Sequence, residues 1–103
     1  MNLDLTRIQY LDWTNVLLPA IAVKRGFPVV KNHCFQRIAL DNLFGGCWYD
    51  FLSKGTIPAY RQLSLEQLQA AIIIAQSLES SPIEHIQEMN AKSLQWRSEY
   101  HGR

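Results

Sequence analysis

Ser64 and Gln67 stand three residues apart at the head of an apolar series, Leu65, Leu68, Ile72, Ala75 and Leu78, that repeats at helical spacing. A serine in that position accepts a hydrogen bond from the amide three residues on, and the glutamine side chain reaches back to the serine amide. Two of the orphan donors of a helix start are satisfied at once. The pattern predicts a helix over about 64–79. Ile73 and Ile74 widen its stripe until the middle is apolar almost all round, as expected of a helix central to a core.

Ser80-Ser81-Pro82 stops this helix and starts another. Ser81 reads as an N-cap, Pro82 as the first helical residue and Glu84 as the far half of a second capping box. Ile83, Ile86, Met89 or Asn90, Leu94 and Arg97 carry the pattern to about Tyr100. A connection this short predicts an antiparallel hairpin of about 64–79 and 82–99.

The first half is helical but more broken. Leu5, Ile8, Leu11 and Leu18 make a loose stripe over 4–18, and Pro19 predicts an end or a kink there because it has no amide to donate. Ala20–Arg25 reads as a short helix stopped by Gly26, with Lys24 and Arg25 near its negative end. Phe27-Pro28-Val29-Val30 reads as an extended connector. Asn32 is the expected N-cap of a helix over 33–44, terminated by Gly45-Gly46. Cys47–Leu52 is expected to resume as a short helix, and residues 53–63 as a loop. Strand alternation is nearly absent. The expected fold is all-α, four to five helices in one compact domain spanning 1–103, with the 64–97 hairpin as its spine.

Composition bounds the function classes. Of 103 residues, 48% are apolar and 18% charged, which suits a globular chain rather than a disordered one. Ten Lys and Arg face nine Asp and Glu, spread evenly along the chain, so no basic face for nucleic acid is implied. The longest apolar run, Ala70–Ala75, falls far short of a membrane span, and Met1–Leu5 lacks the basic and apolar regions of a signal peptide. Two cysteines in that context predict free thiols in the cytoplasm.

The densest chemistry lies in Asn32–Asn42, which crowds an amide, an imidazole, a thiol, a guanidinium and a carboxylate into one predicted helix. Cys34, Arg37, Ile38 and Asp41 share a face, and Arg37–Asp41 has the spacing of an i,i+4 ion pair. One reading makes this a polar pocket, with His33 as acid/base, Cys34 as nucleophile or thiol sensor and Arg37 as anion clamp. The other makes Cys34 a small core residue, Arg37 a buried tether and His33 an exposed first-turn residue. Neighbouring His and Cys point about 100° apart on a helix, which disfavours a direct dyad. No spacing of Cys34, Cys47, His85 and His101 suits a metal, and no cofactor motif is present. The hairpin could be read as a helix-turn-helix, but Glu84 and Glu88 at its leading end would face phosphate, leaving Arg97, His101 and Arg103 as a small basic tail. Trp13, Trp48, Tyr49, Trp96 and Tyr100 read as core and rim.

The segment Asn32-His33-Cys34-Phe35-x-Arg37-Ile38-x-x-Asp41, the following Gly45-Gly46-Cys47-Trp48-Tyr49, and Met89-Asn90-Ala91-Lys92-Ser93-Leu94-Gln95-Trp96-Arg97 together resemble a family of small bacterial proteins, cyanobacterial ones among them, over residues 27–97. Some of these are labelled GCN5-related acetyltransferases. The resemblance implies that the two segments meet in space, with Arg37, Asp41, Trp48 and Arg97 lining one groove or core network. The label implies an acyl-transfer activity, whose sheet and Gly-rich coenzyme A turn are not found in these residues. The expected function is therefore a non-enzymatic interaction or regulatory module, binding a protein partner or a second copy. A small-ligand binder or acyltransferase-like enzyme using His33, Cys34 and Arg37 is the alternative, and a weak nucleic-acid binder the third.

Overall fold

The computed structural model describes residues 2–29 and 31–102. Its regular elements are α1 (Leu3–Asp12), a π-helical segment (Trp13–Leu17), α2 (Leu18–Arg25), α3 (Asn32–Phe44), α4 (Leu65–Ser80) and α5 (Ile83–His101), with short 3-10 turns at Trp48–Asp50 and Ala59–Gln62. The fold is all-α, with no strand among the described residues.

The first three elements form one helical rod. Asn2 caps it, its Oδ1 accepting from the amides of Asp4 at 2.8 Å and Leu5 at 3.3 Å. Proline chemistry predicts an end or kink at Pro19, yet the helix runs through it. The Leu18 amide bonds to the Trp13 carbonyl, five residues back rather than four. A proline ring crowds the carbonyl four positions earlier, here Asn15, and the widened π turn lies at that point.

Leu5 and Ile8, expected to face inward, are 65% and 56% exposed. The inward face is instead Thr6, Tyr10, Thr14, Leu18 and Ala22. Its threonines bury at little cost because each bonds to the preceding turn: Thr6 Oγ1 donates to Asn2 O at 2.9 Å and Thr14 Oγ1 to Tyr10 O at 3.2 Å. Gly26 ends the rod with a left-handed φ of 72°, which a residue without Cβ adopts freely. Phe27–Val29 connect onward, and Val30, the last residue assigned to that connector, lies outside the described residues.

Helix α3 starts one residue earlier than predicted. Lys31 holds the extended cap conformation and Asn32 is the first helical residue. Gly45, at φ 70°, ends it, and the amides of Gly45 and Gly46 both bond to the Asp41 carbonyl. The Cys47–Leu52 segment makes only a 3-10 turn. Its continuation is pinned by Gln62, whose amide bridges the backbone of Ser53 and Ile57.

The capping box at the start of α4 forms as expected, with bonds of 3.1 and 2.9 Å between Ser64 and Gln67. The second one does not. The Ser81 hydroxyl donates back to Ser77 O, and Pro82 takes the cap position of α5 without a side-chain bond. The end of α4 is closed from across the molecule, where the Arg25 guanidinium donates to the carbonyls of Leu78, Glu79 and Ser81.

Helix α3 lies at the middle, against α4 on one side and α5 on another. Two apolar clusters surround it. One joins Leu18, Phe27, Phe35, Ile38, Leu78, Ile86 and Met89, and the other joins Tyr10, Leu40, Leu63, Leu68 and Ile72. Each large side chain so buried contributes about 1.5–3 kcal/mol. On α5 the inward position is Ser93, fully buried, while Leu94 is 51% exposed. That reversal of the expected pattern marks the site.

Candidate functional site

Asp41 is completely buried near the end of α3. An ionised carboxylate there is stable only if its oxygens are occupied, because desolvation costs several kcal/mol. They are. Oδ1 accepts from the Trp48 amide at 3.0 Å; Oδ2 accepts from the Ser93 hydroxyl at 2.6 Å and from Arg97 Nε at 3.1 Å. Ser93 Oγ in turn accepts from Arg37 at 2.8 Å, and a second Arg37 nitrogen donates to Asn90 Oδ1 at 2.7 Å. Two helices are thereby laced by one polar chain running Asn90, Arg37, Ser93, Asp41, Arg97.

The lacing follows from helix periodicity. Arg37 and Asp41 are four apart on α3, while Asn90, Ser93 and Arg97 are three and four apart on α5, so each set forms one stripe and the stripes face each other. The expected direct ion pair between Arg37 and Asp41 is not formed; among the described residues the ion-pair partner of Asp41 is Arg97. Ser93 stands between Arg37 and the carboxylate as a relay.

Arg97 continues outward. Its second nitrogen donates to the Tyr49 hydroxyl at 3.0 Å and its guanidinium carbon lies 4.6 Å from the Tyr49 ring centroid. Lys54 Nζ lies 4.4 Å from the same centroid. Such cation–ring contacts contribute about 0.5–1 kcal/mol at exposed sites. Burial works against the Arg97 charge, but Asp41 and Tyr49 outweigh it and hold the guanidinium above its ordinary range. It is a permanent cation.

Above this network lies an open cleft of ≈ 380 Å³. His33, Gln36, Arg37 and Leu40 of α3 form one wall, Trp48 and Tyr49 another, Arg97 of α5 a third, and Gly55–Ala59 a lip. Of the residues singled out from sequence, Arg37, Asp41, Trp48 and Arg97 come together in one network. His33 lines the cleft, exposed. Cys34 is half-buried and lies outside the cleft lining, and Cys47 is buried at the foot of α3's terminator. The imidazole and the thiol therefore do not converge on one point in the cleft.

Sequence reasoning missed Ser93, Tyr49 and the 55–59 lip. Ser93 carries a signal in retrospect: it extends the Asn90–Arg97 stripe, whereas Leu94 drew attention by being apolar. The lip has no such signal, since its place depends on Gln62. Among the described residues no group of three His, Cys, Asp or Glu side chains could hold a metal ion, and no helix is long and apolar enough to cross a membrane. Arg103 of the basic tail lies outside the described residues.

Fold and site together define a small all-α domain with a cationic cleft between two helices. Comparison with family models, curated proteins and solved structures returns no match.

Proposed function

We propose that this chain is a non-enzymatic binding module with a regulatory role in the cytoplasm, and that the cleft between α3 and α5 is its binding site. The observation carrying this reading is the state of Arg37. Among the described residues its guanidinium is held by two neutral oxygens, Ser93 Oγ and Asn90 Oδ1, while the carboxylate below is matched to Arg97. A cation fixed in place with no carboxylate of the described residues at ion-pair distance suits recognition of a ligand.

The groups with reactive chemistry support binding over turnover. His33 is in the cleft wall and Cys34 is not, so the imidazole and this thiol are not presented together to a molecule bound there. Leu5, Ile8, Val16 and Val23, all exposed on the first rod, offer apolar surface to a partner protein or second copy.

Thermal unfolding in the presence of fractionated small-molecule extract tests this. A ligand at about a hundred times its Kd should stabilise the fold by about 2.7 kcal/mol, and should be recovered chemically unchanged. Chemical conversion of the ligand by the protein would overturn the reading. So would a ligand whose effect survives undiminished in Arg37→Gln.

A further inference from the structure

We infer that the cleft takes an oxyanion, a carboxylate or a phosphate monoester, carried on a flat apolar body. This rests on the cleft being the binding site and names the class of molecule it receives.

Charge comes first. Arg37 and Arg97 both line the cleft, and no Asp or Glu is among its described lining residues. The Asp41 carboxylate lies buried and pairs with Arg97. That leaves the Arg37 charge facing the cleft, with Lys54 adding to the same field from beside the Tyr49 ring. A guanidinium has five N–H donors, and among the described residues Arg37 and Arg97 each engage two acceptors, so both keep donors for a ligand. Fork-shaped donors match the paired oxygens of a carboxylate or phosphate better than any neutral group. Both forks are held by second partners before a ligand arrives, which lowers the ordering cost of binding.

Of the other lining residues His33, Gln36 and Tyr49 carry polar groups, and the remaining side chains are apolar or, at Trp48, mostly so. Leu40, Trp48, Ile57, Pro58 and Ala59 give a wall without hydrogen-bonding side chains other than the Trp48 indole. A volume of ≈ 380 Å³ lies near the small end of ligand pockets, room for a single compact molecule rather than a length of chain. The formal net charge of +1 supplies no broad field for a polyanion. Small size, an oxyanion-binding end and an apolar end together describe an aromatic or similarly flat acid.

The test is a titration of the wild-type protein followed by NMR at the Trp48 indole N–H and the Arg37 and Arg97 Nε–H groups. Benzoate, phenyl phosphate, inorganic phosphate, benzyl alcohol and benzylamine are the probes. Benzoate or phenyl phosphate should shift all three signals saturably, bind at least about tenfold tighter than benzyl alcohol, and weaken as salt is raised. Whichever of the two binds more tightly tells carboxylate from phosphate. If inorganic phosphate equals phenyl phosphate, the apolar half of the inference is overturned. Equal or tighter binding of benzyl alcohol or benzylamine at these signals overturns the oxyanion while leaving the cleft as a binding site. If no probe moves them, both the ligand class and the cleft reading fall. Because the wild-type chain is used, the outcome does not depend on whether Arg37→Gln folds.

Discussion

Arg97 Nε donates to Asp41 Oδ2 at 3.1 Å across 56 residues of chain, and Asp41 has no exposed surface while the Arg97 side chain is only 17% exposed. Partnering both charges this far from water makes the pair a commitment of the fold: either residue alone would be an uncompensated charge. Asp41→Asn should therefore destabilise the protein by about 3–5 kcal/mol, since the Arg97 charge loses its counter-ion and the amide N–H meets a donor in either orientation. Ser93→Ala should cost about 1–3 kcal/mol by removing one bond from Asp41 and one from Arg37. Urea unfolding measures both, and a wild-type midpoint for Asp41→Asn would refute the account.

The Tyr10 hydroxyl is buried with no hydrogen-bond partner among the described residues, and burial pushes its phenol up from the ordinary value. Removing the orphan oxygen by Tyr10→Phe should stabilise the fold by about 1 kcal/mol, because the desolvation of that group is no longer opposed to folding. The pH dependence has a definite sign. A phenol whose folded value exceeds its unfolded value near 10 favours folding fully below that pH, and its contribution is lost as pH rises through the folded value. Alkaline unfolding by circular dichroism should thus move to higher pH in Tyr10→Phe.

Arg25 closes the end of α4 with three carbonyl contacts from the far end of the first rod. Arg25→Ala should cost about 1–2 kcal/mol, at the low end for charged hydrogen bonds because the side chain is exposed. Arg25→Lys should recover less than half of that, since an ammonium cannot span three carbonyls as a planar fork does. A wild-type midpoint for Arg25→Lys in urea would show instead that charge alone matters there.

Cys47 is 1% exposed and Cys34 is half-buried. A thiol reagent should modify Cys34 in the native protein and reach Cys47 only at the rate of opening. Biphasic labelling followed by mass spectrometry, with the slow phase at residue 47 sensitive to mild urea, is the expected result. Single-phase labelling of both would contradict this burial.

Several elements were legible because their causes are local. The Ser64–Gln67 box, the Gly26 and Gly45 stops and the apolar face of α4 all depend on residues within one or two turns of each other. The inward face of the first rod departs from its apolar spacing for an equally physical reason. Apolar spacing favoured Leu5 and Ile8, whereas threonines that satisfy their own hydroxyls are buried instead, and the π turn lets the helix continue past Pro19. The second capping box failed because Ser81 had a competing acceptor at the end of α4. Within the site, Arg37, Asp41, Trp48 and Arg97 could be named in advance, but not who bonds to whom.

Helical class, element order and the polar stripe on α3 are properties of short-range chemistry, so the chain alone specified them. The partners of that stripe are another matter. A carboxylate can be matched by Arg37 four residues away or by Arg97 fifty-six away, and both geometries are open to an isolated helix and its neighbours. Packing of α5 against α3 chose Arg97 and placed Ser93 between. That choice left Arg37 on neutral oxygens at the cleft, because only burial makes a single carboxylate's partners exclusive.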